Sequence, residues 1–282
     1  MEGLVFLLKA IGAAAPKLAR SLEDYQSLLA EPVKNAFARD AALARLARVI
    51  GEFPDTAARA QLQEWLKSEQ AAVNSHKDEF RYDFGRDLVA ALEGSGLAVK
   101  GQLPQLRIGL FAVDADFDAG KAAIFWGPRV EKLKTGLGLD PVELAQTLRT
   151  WRDRLVEKAV PPAKMLELLH SAYRRHVLVN NLGAGARVFL SDILAEVVLL
   201  VQPQGFRVDP VQEKFVEYPR VRFSYDLFRL KESGQFEHAG ATLKLHVANF
   251  DATTEKSRAL WVPDNEVGDG THYSYLSFAE RD

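Results

Sequence analysis

Asp114, Asp116 and Asp118 stand at alternate positions in "AVDADFDAGKAAIFW", Ala112 to Trp126, and Lys121 follows three residues beyond the last. Clustered carboxylates with a nearby lysine are what a metal-dependent nuclease uses to hold a divalent cation against a phosphate. A calcium loop would use the same spacing, with glycine at its sixth position and a bidentate glutamate at its twelfth. Here those positions hold Ala119 and Phe125, so the calcium loop fails. A restriction-type nuclease needs an acid one residue before the lysine on the following strand, and no Glu-x-Lys occurs there. Period-two alternation instead puts Phe111, Val113, Ala115 and Phe117 on one face and the three aspartates on the other. The stretch therefore reads as a solvated hairpin turning at Ala119-Gly120, with no metal called for. Asp114, Asp116 and Lys121 become catalytic only under the alternative nuclease reading.

None of the six histidines falls at ligand spacing. His170 and His176 lie six apart on one helix and so face different ways, unlike an i, i+4 metal pair. His76 sits on an apolar helical stripe with Glu69, Glu79 and Asp83 nearby in sequence, which suits a histidine satisfied inside a bundle better than a proton-transfer pair. "GAG" at Gly183 to Gly185 precedes its strand, whereas a dinucleotide fingerprint follows one. No cofactor is implied.

Basic residues give the stronger local signal. From Arg129 to Val177 there are ten Lys or Arg against six Asp or Glu, in a chain whose net charge is only -2. Arg149, Arg152, Arg174 and Arg175 lie off the apolar stripes of their helices. On the segment opening at Pro219, Val221, Tyr225 and Phe228 form one apolar edge and Phe223, Leu227 and Leu230 another. Arg222 and Arg229 share a third edge with Asp226. Such arginines can meet guanine edges and phosphates, or be solvated beside a local Asp226–Arg229 pair.

The elements that must position these residues fall into three regions. Residues 1–94 are rich in Ala, Leu, Arg and Glu, and Pro16, Pro32 and Pro54 each predict a new helix at its first turn. The last helix, Asp55 to Glu93, carries Leu62, Leu66, Val73, Phe80, Phe84, Leu88 and Leu92 on one side. A heptad register would put Glu69, His76 and Asp83 in the seam, so a helical bundle is expected rather than a coiled coil. Residues 95–135 alternate in polarity and predict a small antiparallel sheet. Residues 136–282 begin with Asp140-Pro141, a cap followed by proline at the first helical position, and a second helix starts at Pro161-Pro162.

From residue 162 to 263 the predicted order is helix, a strand at Ala186 to Leu190, a helix capped by Ser191-Asp192, the Pro219 helix, and strands "ATLKLHVANF" and "SRALWV". That order resembles a winged helix, which implies that the Pro219 helix enters a DNA major groove. The tail around Gly268 to Gly270 holds Trp261, Tyr273, Tyr275 and Phe278. It suits either a hairpin closing a sheet or a set of interface anchors.

With 282 residues, 48% of them hydrophobic, the chain can bury a sizeable core. The lack of cysteine excludes disulfides, thiol nucleophiles and iron–sulfur clusters. The apolar run near the N-terminus is broken by Lys9 and preceded by Glu2, so it reads as a packed helix rather than a leader, and the chain as cytoplasmic and not membrane-bound. The expectation is an α+β protein with a helical bundle, a small sheet and a winged-helix-like domain. It would act without catalysis as a binding or adaptor subunit of a bacterial-type DNA-handling assembly, with a protein partner and possibly DNA. A purely protein-binding scaffold and the nuclease are the alternatives.

Overall fold

The computed structural model describes residues 1–248 and 258–280 and has an α+β fold. The chain parts into two compact units. The first comprises Met1–Glu93, Asp114–Ala122 and Gly136–Ala145, and the second comprises the rest.

Three helices dominate the first unit: α1 (Glu2–Ser27), α2 (Ala36–Gly51) and α3 (Thr56–Leu92). Asp55 caps α3 by accepting from the Ala58 amide at 2.8 Å, which satisfies one of the free N–H groups of the first turn. Val73, Phe84, Leu88 and Leu92 are buried along the expected stripe, and Leu62, Leu66 and Phe80 are half-buried. Leu18 and Tyr25 of α1 join Leu43, Leu46 and Ile50 of α2 in the core. Pro16 corrects the expectation that it opens a helix, because α1 runs through it. Proline removes one amide and crowds the carbonyl four residues back. Here that carbonyl belongs to Gly12, which is exposed, as Pro16 is, so water can take the bond.

Strands β1 (Val99–Gln102), β2 (Gln105–Ile108), β3 (Phe111–Asp116), β4 (Lys121–Trp126) and β5 (Glu131–Gly138) form a sheet in chain order. Then come α4 (Pro141–Glu157), whose first amides bond the Asp140 carboxylate at 2.8 and 3.0 Å, and α5 (Pro162–Val179). The remainder holds β6 (Val188–Phe189), α6 (Leu190–Leu200), the single-turn α7 (Gln204–Val208), α8 (Arg220–Ser233), β7 (Glu237–His238), β8 (Ala241–Val247), β9 (Leu260–Pro263) and β10 (Gly270–Glu280). The predicted cap at Ser191-Asp192 is corrected, since α6 begins at Leu190 with Phe189 before it and no side-chain cap. The ends of the two predicted strands, Asn249, Phe250 and Ser257, lie outside the described residues.

The second sheet has the order β6-β10-β8-β7, with β9 also on β10, and these pairings are antiparallel. Among the described residues the strand expected from "SRALWV", β9, pairs with β10 and not with β8, so the strand lying between β6 and β8 is β10, which is outside the expected order. Trp261 on β9 is a core residue, 2% exposed, which overturns its reading as an interface anchor. Backbone closes on its indole from two sides: a Cβ on Gly127 would sit 2.7 Å from one edge, and one on Gly270 2.5 Å from another. Only glycine lets a backbone approach that closely.

Candidate functional site

The aspartate stretch is a hairpin. Asp116 accepts from the Ala119 amide at 2.9 Å, an Asx bond that fastens its own turn. Asp118 is exposed and lies 3.9 Å from Lys77, while Phe117 turns inward against Phe37, Phe80 and Phe84. Lys121 opens β4 and is exposed. Among the described residues no three His, Cys, Asp or Glu side chains gather closely enough to hold a metal ion.

The arginines scatter. Arg149 is half-buried on α4. Arg152 is tied down by the Ser95 carbonyl and by Asp153 at 2.8 Å. Arg174 is exposed on α5, and its neighbour Arg175 pairs with Glu196 at 3.1 Å. Arg222 is turned into the fold, its guanidinium 4.7 Å from the centre of the Tyr218 ring and its Nε 3.9 Å from Asp226. Arg229 is exposed and 3.6 Å from Glu232. Both apolar edges of α8 are buried, from Val221 to Leu230, so the helix is a core element of its unit. His170 meets His238 and Phe278 edge-on at 5.1 and 5.0 Å, and burial pushes its pKa down.

Each unit contains a buried charged group that the sequence alone did not expose. In the first, Arg39 of α2 is 2% exposed. It donates to the Tyr25 hydroxyl at 3.0 and 3.3 Å, to Glu69 and the Pro32 carbonyl at 3.2 Å each, and to His76 Nδ1 at 2.9 Å. Arginine has no acceptor, so Nδ1 of His76 accepts and the ring proton belongs on Nε2. The Tyr25 hydroxyl donates in turn to Glu69 at 2.5 Å, and burial raises its pKa. The sequence did hold a signal: polar Glu69 and His76 seven residues apart on an apolar stripe require a buried donor on a facing helix.

In the second unit Asp226 is fully buried. It accepts from the Val160 amide at 2.9 Å and the Tyr218 hydroxyl at 2.5 Å. Burial outweighs these bonds and pushes its pKa up to about 6. Burial beside that carboxylate drives the Tyr218 pKa far upward, so the phenol stays protonated and donates.

Among the described residues the longest unbroken run of exposed large apolar side chains is at the start of α1. Leu4, Phe6 and Leu8 are 66%, 77% and 67% exposed, and Val5 and Leu7 are exposed beside them. Below them Ile11, Ala14, Ala15 and Leu22 pack on the core. Glu52, just past the end of α2, reaches Lys17 in the middle of α1 at 3.9 Å, and Leu4 to Leu8 lie more than two turns before that contact. The first nine residues, about 14 Å of helix, continue the apolar stripe beyond that contact. No family model, curated protein or solved structure matches this chain.

Proposed function

We propose that this protein is a non-catalytic binding subunit that docks through the first turns of α1 into an apolar groove on a protein partner. The observation behind the reading is the run Leu4 to Leu8, which is apolar on every side of the helix and exposed on every side. A helix of that kind is normally covered, and an apolar patch flanked by charge, here Glu2 and Lys9, marks an interaction surface. The exposed side chains serve as anchors, since aromatic and aliphatic groups desolvated at the centre of an interface carry most of its energy.

Phe6→Glu with Leu8→Glu tests this. Neither side chain contributes to the core, so the melting temperature should hold, while partners recovered with the full-length protein from its native cells are lost. Recovery of the same partners in the same amounts would refute the α1 interface. A wild-type chain that dimerises alone, with a monomeric variant, would replace the foreign partner by a second copy.

A DNA-handling context is the second reading; what supports it is the element order α5, β6, α6, α8 and β8, with β10 in the place where the sequence order put β9. With Arg222 turned inward, any phosphate contacts fall to Arg174, Arg229 and the other exposed cations. Affinity would then drop steeply with salt as counterions are released. Arg174→Ala with Arg229→Ala should flatten that slope in a gel-shift titration, and a chain with no DNA affinity at low salt leaves the protein-binding role alone.

A further inference from the structure

The second unit contains a cavity of about 330 Å³ whose walls come from five separate stretches of chain. Leu97, Leu110, Phe111, Leu155 and Val156 are among its apolar lining residues. The volume is at the small end of the range used for small-molecule ligands. Arg152, bonded to the Ser95 carbonyl and to Asp153, closes one side with its donors already engaged.

Three other polar groups on the lining are differently placed. Tyr225 is 5% exposed as a whole, but its hydroxyl oxygen is reached by solvent, and among the described residues it makes no hydrogen bond. The hydroxyl oxygen is not sealed from solvent, so water can satisfy it and a ligand entering the cavity can take that bond instead. Arg229 stands one turn further along α8 on the same face. It has only the 3.6 Å ion pair with Glu232 and no hydrogen bond within the described chain. Glu266 lies on the turn between β9 and β10, which Asn265 fixes by accepting from the Val267 and Asp269 amides at 3.1 Å each. Burial raises the Tyr225 pKa, Arg229 opposes that rise and Glu266 adds to it, so both charges lie within electrostatic reach of the phenol.

We propose that this cavity binds a small organic acid with an apolar body and a single negative charge. The apolar body fills the space against Phe111, Leu110 and Leu155. The carboxylate takes the Tyr225 hydroxyl and the Arg229 guanidinium, two donors one helical turn apart, and planar carboxylates suit guanidinium groups well. Glu266 supplies discrimination by repulsion, because a doubly charged phosphate ester brings a second charge toward a fixed carboxylate. The inference stands apart from the α1 interface, since it rests on different residues in a different unit.

Calorimetric titration of the full chain with 4-phenylbutyrate, 4-phenylbutan-1-ol and phenyl phosphate tests it. The acid should bind about tenfold or more tighter than the alcohol, as expected for hydrogen bonds to a charged group. Phenyl phosphate should be the weaker of the two anions, and Glu266→Gln should narrow that gap. Tyr225→Phe and Arg229→Gln should each reduce the advantage of acid over alcohol while leaving the alcohol's affinity unchanged. Val156→Trp, at a position more than half exposed on α4, should block both acid and alcohol without unfolding the protein. Equal binding of acid and alcohol, no binding of either, or binding undiminished in folded Val156→Trp would overturn the proposal.

Discussion

The two buried charges, Arg39 in the first unit and Asp226 in the second, solve the same physical problem in different ways. Arg39 spends its fork on four partners, one of them the carboxylate of Glu69 at 3.2 Å, so the cation is hydrogen-bonded and paired. Asp226 has two good donors, both neutral, and its nearest cation is offset. The Nε of Arg222 is 3.9 Å away and is itself buried without a hydrogen bond. Burying a charge costs several kcal/mol unless pairing and hydrogen bonds replace water. Where they do, the charge holds elements together; where they do only in part, the group keeps its proton to higher pH.

The largest test of that contrast is Arg39→Met, which keeps the volume and deletes the fork. Glu69 then lies against the core without its cation, and the loss should be about 3 to 5 kcal/mol in urea unfolding of the full chain. A change below about 1 kcal/mol would show that water reaches the site and that the network holds little together.

Next comes the pH response of the second centre. The folded-state pKa of Asp226, about 6, lies above the ordinary carboxylate value of 3.8, so between those values the folded chain binds more protons than the unfolded chain. Stability from this group is therefore complete below about pH 4 and is lost as pH rises through about 6, by on the order of 3 kcal/mol. Asp226→Asn should remove that part of the slope. A slope unchanged in the variant would assign it to other groups. Smaller again is Tyr218→Phe, which deletes a bond to the charged form. It should cost about 1 to 2 kcal/mol and move the Asp226 window to higher pH, as unfolding curves at several pH values would register. Smallest of all is Asp116→Asn: that carboxylate serves only its own exposed turn, so the change should stay within about 0.5 kcal/mol.

What the sequence revealed depended on how local the cause was. The Asp140 cap, the α3 stripe and the hairpin at Ala119-Gly120 each rest on residues within a few positions of one another, and the fold has them all. Pro16 misled because its cost depends on whether water can reach one carbonyl, a property of the folded surface. Arg39 looked like any other arginine on a helix rich in Ala, Leu and Arg, and its carboxylate partner is 30 positions away. Arg222 and Arg229 were read as one edge, yet Arg222 lies over Tyr218 and Arg229 lines a cavity. Tyr225 read as part of an apolar helix edge, and the pocket that it lines is assembled only when the stretches near 96, 110, 155, 227 and 266 come together.

The packing around Trp261 also makes the chain report on itself. Its indole meets that of Trp126 edge-on, with centroids 5.5 Å apart and the rings 81° from coplanar, and the Trp126 Nε1 donates to Ser224 at 3.0 Å. Two indoles so close and so fixed couple their electronic transitions, and their circular dichroism vanishes when the pair separates. Trp65, edge-on to Tyr25 at 5.7 Å, belongs to the other unit and fluoresces in a different setting. The coupled-indole band of an unlabelled sample therefore reports on the second unit alone, whereas total indole emission sums four tryptophans from both units, and a lag between the two on heating shows that the units do not give way together.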